Sequence, residues 1–368
     1  MFNNIYKNKK IIITGHTGFK GSWLTCWLLK LDAKIVGISN SIPTTPSIYQ
    51  ELKLFDKIKN YDCDIRDLDS LQKIFKSEKP DFIFHLAAQP IVSFSYLDPI
   101  ETISTNVIGT TNVLESLRIL KNDCTAIIIT SDKAYDNVEQ VWGYKEDDKM
   151  GGKDIYSGSK GSAELIIKSY FNSLIKNQHK NIKIGIGRAG NVIGGGDWAK
   201  DRIIVDCMLA WSRNEVPEIR SPHATRPWQH VLEPLSGYLD LGANLYAGTD
   251  LNGFAFNFGP NQSENINVLK LINDLSIYWD FKDGEKVCNV TKESNFFESS
   301  LLKLNCDKAM FYLKWKATLS YTETVKLTSQ WYYNFYKGKE DLLDFTDSQI
   351  NLYTDMAKNY KIKWTEYY

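Results

Sequence analysis

A doubly wound α/β fold, a Rossmann-type parallel sheet followed by a smaller α/β substrate-binding domain, is predicted by three features of the 368-residue chain. Short β-rich apolar runs alternate with longer amphipathic stretches as far as residue 190. The first of those runs passes straight into a turn with a glycine at every third position. Beyond residue 190 the alternation gives way to glycine, proline and aromatic-rich sequence. The expected division is 1–190 for a dinucleotide-binding domain and 191–368 for mainly a substrate-binding domain, with some later segments returning to the first.

Strands are expected at 10–14, 34–39, 82–85, 126–130 and 183–188. Helices are expected at 22–31, 68–75, 100–120 and 157–174, where apolar residues recur at spacings of three and four. The first strand leads into Gly15-His16-Thr17-Gly18-Phe19-Lys20-Gly21. Glycines at 15, 18 and 21 let the backbone turn sharply, approach a pyrophosphate and pack the following helix, whose N-terminus attracts negative charge. Gly15, Thr17, Gly18, Phe19, Lys20 and Gly21 therefore form a candidate dinucleotide loop. The second strand ends in Ile38-Ser39-Asn40, with no carboxylate for ribose hydroxyls and no arginine for a 2′-phosphate, which leaves NAD and NADP both open.

In Tyr156-Ser157-Gly158-Ser159-Lys160 a phenol and an ammonium stand at i and i+4 of one helix face. The cation is expected to lower the phenol toward neutrality, so that it takes a proton from a sugar hydroxyl as hydride leaves for a nicotinamide. Ser131, Asp132 and Lys133 follow the strand at 126–130, at the carboxyl end where open sheets place their chemistry. Ser131 can hold the same hydroxyl as Tyr156. An acid and a potential base side by side, Asp132 and Lys133, suit protonation of a leaving hydroxyl and handling of a carbon-bound proton. An epimerase or reductase of the same fold would use Ser131, Tyr156 and Lys160 and leave that pair idle. A non-enzymatic dinucleotide sensor would have no use for the set.

Composition narrows the partners. Lys plus Arg and Asp plus Glu are 44 each, so global charge favours neither nucleic acid nor an anionic membrane. No apolar run is long enough to span a bilayer, and the residues after Met1 lack the basic-then-apolar pattern of an export signal. The six cysteines are scattered without close pairs and read as reduced core thiols, consistent with the cytoplasm. His16 and His85 have no second ligand at metal spacing and are expected to be structural, with no metal site.

Five strings carry a closer resemblance: 14–23 (TGHTGFKGSW), 130–137 (TSDKAYDN), 142–148 (WGYKEDD) with Tyr156 to Lys160, 190–198 (GNVIGGGDW) with Asp201-Arg202, and 226–237 (RPWQHVLEPLSG). With them the chain resembles the CDP-glucose 4,6-dehydratases, within the extended short-chain dehydrogenase/reductase superfamily, over nearly its full length. The resemblance implies NAD as cofactor and a nucleotide sugar as substrate. It implies that Asp64 and Ile65 contact adenine, that Leu86, Ala87 and Ala88 line the nicotinamide ribose, and that Asn106 is structural. Gln89, Asn191, Arg202 and Arg226 become substrate contacts, the arginines and Asn191 near the diphosphate. A homodimer or a pair of dimers through the helices at 100–120 and 157–174 is implied too. Ala134 departs from the Cys of many relatives, and Lys133 stands where the similar dTDP-glucose dehydratases carry Glu. Lys133 is therefore either the base or a cation that stabilises an enolate.

Overall fold

The computed structural model describes residues 1–260, 266–291 and 301–366. Seven strands form the central sheet: β1 (Lys10–Thr14), β2 (Lys34–Ser39), β3 (Lys59–Asp62), β4 (Phe82–His85), β5 (Cys124–Ile129), β6 (Ile182–Ala189) and β7 (Ala255–Phe258). All neighbours pair in parallel, in the spatial order β3, β2, β1, β4, β5, β6, β7. The order reverses direction between β1 and β4, so a crevice opens above their carboxyl ends.

The pleat sends alternate side chains to opposite faces. Ile11, Ile13, Phe82, Phe84, Ile127 and Ile129 enter one buried cluster, and Ile12, Ile83, Ala126, Ile128 and Ile184 enter the other. With both faces covered, these strands are written as continuous apolar runs. Helices α1 (Phe19–Lys30), α2 (Leu68–Glu78), α3 (Thr110–Arg118) and α4 (Ile155–Tyr170) flank the sheet. Trp23, Leu24, Trp27 and Leu28 of α1 belong to the first cluster; Leu71 and Phe75 of α2, with Val113 and Leu117 of α3, belong to the second.

Two strands lie outside the sequence-predicted set. β3 (KNYD) is a polar, largely exposed edge strand with no apolar run to announce it, and β7 (AFNF) is four residues long. The expected helix at 100–120 is three pieces: Pro99–Ile103, a π-helical turn at Ser104–Gly109, and α3. After residue 190 come α5 (Ile203–Ser212), α6 (Leu232–Tyr246), α7 (Val268–Ser276), α8 (Tyr321–Lys337) and α9 (Leu342–Asn359). Short two-stranded pairs tie this part together: Val192–Ile193 with Gln229–His230, Glu218–Ile219 with Asn289–Val290, and Thr225–Arg226 with Ile266–Asn267. β7 returns to the main sheet, and α6 packs on β5 and β6. All six cysteines are free, and no described helix is long and apolar enough to cross a membrane.

Candidate active site

One cavity of about 1260 Å³ runs from the β1–α1 turn across the ends of β4, β5 and β6 to the segments after residue 190. Gly15 turns the chain with φ +73°, a conformation open to glycine at little cost, and a Cβ there would stand 2.7 Å from the Ala87 nitrogen. This close approach seats the loop against the end of β4, and Gly18 and Gly21 complete the turn into α1. Thr17 Oγ1 donates to the Ser41 carbonyl at 2.7 Å, fixing the loop to the end of β2. Thr17, Phe19 and Lys20 line the cavity with the three glycines, and Asp64, Ile65, Leu86, Ala87 and Ala88 line its neighbouring wall. Asp64 accepts from Asn40 Nδ2 at 3.0 Å and pairs with Arg66, which holds its carboxyl below the usual range.

The two histidines near the loop are structural. His16 lies beneath it, bonded to Asn60 and Ser39 and set edge-on against Tyr49. His85 lies between Thr14 Oγ1 at 2.7 Å and Thr110 Oγ1 at 3.1 Å, and burial pushes it down to about 3, so it is neutral at physiological pH.

The second half of the site hangs on β5 and α4. The chain leaves β5 into a single 3₁₀ turn, Asp132–Ala134, capped by Ser131, whose Oγ accepts from the Lys133 nitrogen at 3.2 Å and donates to Asp132 Oδ1 at 3.0 Å. Ser131, Asp132, Lys133, Tyr156 and Lys160 all face the same cavity. Asp132 is buried and its carboxyl is raised: desolvation outweighs the opposing pull of Lys133, Ser131 and Lys20. Gly190 makes room for it, since a Cβ there would stand 2.8 Å from Asp132 Oδ2.

The phenol differs from the sequence-based expectation. Burial pushes Tyr156 up to about 12, with a hydrogen bond from Ser131 acting the other way, rather than Lys160 drawing it toward neutrality. Lys160 is itself buried, and desolvation lowers it to about 8 against the pull of Glu164. The i, i+4 spacing brings the two side chains to one cavity, but burial governs both groups.

Several residues that pattern did not reveal hold this arrangement. Glu164, one turn beyond Lys160, forms a buried ion pair with Arg188 of β6 at 2.8 Å and accepts from Thr130. Arg188 also donates to the Tyr135 hydroxyl at 2.7 Å, and that hydroxyl donates to Asn257 of β7 at 2.7 Å. An acid one turn beyond Lys160 on the same helix is the one local hint. Asn106 bonds to both backbone atoms of Gln89 and donates to Ser159 Oγ, tying the end of β4 to α4.

Among the expected substrate contacts, Asn191, Arg202 and Arg226 line the far part of the cavity, and Arg202 pairs with Asp197 at 3.1 Å. Gln89 is not on the cavity wall. Its amide is spent internally, Nε2 donating to Thr102 Oγ1 at 2.7 Å and Oε1 accepting from the Ile91 nitrogen at 2.5 Å. Lys20 reaches further than a loop residue: burial, then Arg202, lower it to about 8, while Asp132 and Asp197 pull it upward. Among the described residues no group of three His, Cys, Asp or Glu could hold a metal ion.

The family model described as GDP-mannose 4,6 dehydratase matches residues 12–328. The chain is 41% identical over 354 residues to the CDP-glucose 4,6-dehydratase of Salmonella typhimurium, covering 95% of this chain and 97% of that one. Its fold is similar to the UDP-glucuronic acid 4-epimerase of Bacillus cereus solved with UDP-glucuronic acid and NAD, with a TM-score of 0.75, 25% identity, and coverage of 89% of this chain and 100% of that one. It is also similar to the dTDP-glucose 4,6-dehydratase DesIV of Streptomyces venezuelae, solved with NAD and TYD. There the TM-score is 0.74 at 17% identity, covering 90% of this chain and 99% of that one.

Proposed function

From the premise that the chain belongs to the GDP-mannose 4,6-dehydratase family, we propose that it is an NAD-dependent lyase that converts CDP-glucose to CDP-4-keto-6-deoxyglucose with loss of water. The observation that carries this reading is the meeting of Ser131, Asp132, Lys133, Tyr156 and Lys160 on one cavity with the glycine loop. The nucleotide comes from the 41% identical relative.

The cavity fits a dinucleotide. Its loop has no side chain where the backbone closes on Ala87, and at the end of β2 and beyond it the lining residues are Ser39, Asn40, Ser41 and Pro43. The nearby guanidinium of Arg66 is engaged by Asp64 and Glu101, which leaves no welcome for a 2′-phosphate and favours NAD. Gly15, Thr17, Gly18, Phe19 and Gly21 would hold its pyrophosphate side, Asp64 and Ile65 the adenosine, and Leu86, Ala87, Ala88 and Lys160 the nicotinamide ribose. Bound there, an oxidised nicotinamide would supply the hydride acceptor for C4, the same hydride for C6, and a positive charge that favours the Tyr156 phenolate.

Tyr156 takes the proton of the 4-hydroxyl while Ser131 holds that oxygen. The 4-ketone so formed acidifies the C5 proton. Asp132, kept toward its protonated form by burial, gives its proton to the departing C6 hydroxyl. Lys133 acts directly on the C5 proton or on the enolate left behind, and a proton returns to C5 as hydride returns to C6. Arg202 and Arg226 meet the diphosphate, with Asn191 beside them.

Incubating the protein with CDP-glucose and NAD tests the reading. Loss of one water in product mass with no accumulated NADH is expected, whereas unchanged mass with inverted C4 would make the chain an epimerase. The assembly that goes with this reading is a homodimer or dimer of dimers. Its face is the exposed apolar surface of Ile100 (73% exposed), Ile108 and Leu165 (56%), and light scattering that gives a monomer mass would remove it. The free thiols suit action in the cytoplasm.

A further inference from the structure

The end of the cavity away from the glycine loop is a slot between two elements. On one side is the first turn of α5, with Ile204 and Asp206; on the other, Ile219 ends the short strand Glu218–Ile219 and Arg220 follows it, and Trp228 and Val268 line the cavity as well. The Asp206 nitrogen donates to the Arg202 carbonyl at 3.0 Å, so Asp206 sits one helical turn beyond the guanidinium assigned to the diphosphate. A nucleoside attached to that diphosphate would carry its base into this slot.

Three carboxylates line this end: Asp201, Asp206 and Glu218. Asp201 already accepts from Ser93 Oγ at 2.5 Å. Asp201, Asp206 and Arg220 line the same cavity, and the Asp206 carboxyl is raised by desolvation and by Asp201 and drawn down by Arg220. Apolar Ile204, Ile219 and Val268 suit the faces of a planar ring, while Asp206 and Arg220 offer an acceptor and donors to its edge.

We propose that Asp206, with Arg220 opposite it, selects cytosine over uracil and thymine. The cytosine edge presents an amine that donates at C4, then N3 and O2 that accept. A carboxylate accepts from the amine, and a guanidinium donates to the other two atoms. Uracil and thymine place a carbonyl at C4, where it would face the carboxylate with two acceptors opposed and no proton between them. The proposal rests on the reading that the chain takes a nucleoside diphosphate glucose.

Calorimetric titration of the protein, saturated with NAD, against CDP and against UDP tests it without need of turnover. The wild-type chain should bind CDP more tightly. Asp206→Asn, whose amide can turn either its oxygen or its nitrogen to the base, should shrink the CDP-to-UDP ratio about 5- to 100-fold. Asp206→Glu, which keeps an acceptor, should retain most of the ratio. An undiminished ratio in Asp206→Asn, or a wild-type chain indifferent to the base, overturns the proposal. The dehydratase reading fails separately, if no nucleoside diphosphate glucose loses water whatever the binding ratio.

Discussion

Lys160 forms no ion pair among the described residues and sits buried on α4 one turn from Tyr156; desolvation brings its ammonium down to about 8 against the pull of Glu164. The charged form therefore prevails below that pH and is lost above it. If the cation supports the phenolate, turnover should fall as pH rises through about 8. In Lys160→Arg, whose guanidinium stays charged, whatever turnover remains should lose that falling limb. A pH–rate profile of the two proteins decides it, and an unmoved limb would assign the titration to another group. Local spacing made Tyr156, Lys160 and the Ser131 to Lys133 turn legible in the sequence, because i, i+4 on a helix and a strand end each need only a few residues. Glu164, Arg188, Tyr135 and Asn257 come from four separate stretches and meet only because α4, β6, the turn after β5 and β7 are packed together. Periodicity carries no trace of such a meeting. Gln89 shows the reverse: its place in a familiar string implies a substrate contact, while Thr102 and Ile91 take up its amide.

At the scale of elements, strands covered on both faces were legible as apolar runs, and the edge strand β3 was not, since solvent along its side lets Lys59, Asn60 and Asp62 stand where a buried strand needs Val or Ile. The long helix expected at 100–120 shows what apolar spacing cannot register. A π-helical turn at Ser104–Gly109 adds a residue to the repeat and turns Asn106 inward. There its Oδ1 accepts from the Gln89 nitrogen at 2.9 Å, and its Nδ2 donates to the Gln89 carbonyl at 3.1 Å and to Ser159 Oγ at 2.9 Å. Ser159 Oγ in turn donates to the Tyr156 carbonyl at 2.7 Å, so the side chain joins the end of β4 to the helix that presents the phenol. Asn106→Ala would leave buried groups of Gln89 without partners and should cost about 2 kcal/mol or more in urea unfolding. It should also lower kcat by misplacing Tyr156, with the pH profile unchanged. Lost turnover at undiminished stability would contradict this positioning role.

Across the whole molecule the chain ends close on each other around α6. Phe2 stacks on Trp364 at 5.0 Å, and the Tyr6 hydroxyl donates to the Leu239 carbonyl at 2.5 Å. One apolar cluster runs from Phe2 through Trp27 and Leu241 to Tyr353 and Trp364, so the first and last segments share a core with the sheet. Two carboxyls of α6 are buried in or beside it. Glu233 is pushed up to about 7 even though it accepts from the Thr318 and Leu319 nitrogens and the Tyr353 hydroxyl. Burial pushes Asp240 up to about 8, although Lys363 draws it down and Asn244 donates to its Oδ1 at 3.0 Å; Oδ2 is buried with no hydrogen-bond partner among the described residues. A raised carboxyl keeps its proton in the folded chain after the unfolded chain has lost one, near pH 4. Between about pH 4 and pH 8 the folded state therefore binds more protons than the unfolded one, and stability falls as pH rises across that window. Asp240→Asn removes this ionisation while keeping a polar side chain of the same shape. Its melting temperature should exceed that of the parent at pH 8, with the gain shrinking toward pH 4. Thermal unfolding of both proteins across that range is the measurement, and a gap that does not change with pH would mean that Asp240 ionises alike in the folded and unfolded chain and affects the fold by packing alone. Because α6 lies against β5 and β6, below the turn that carries Ser131 and Asp132, the same substitution should extend the alkaline range over which the site stays assembled without altering kcat near neutrality.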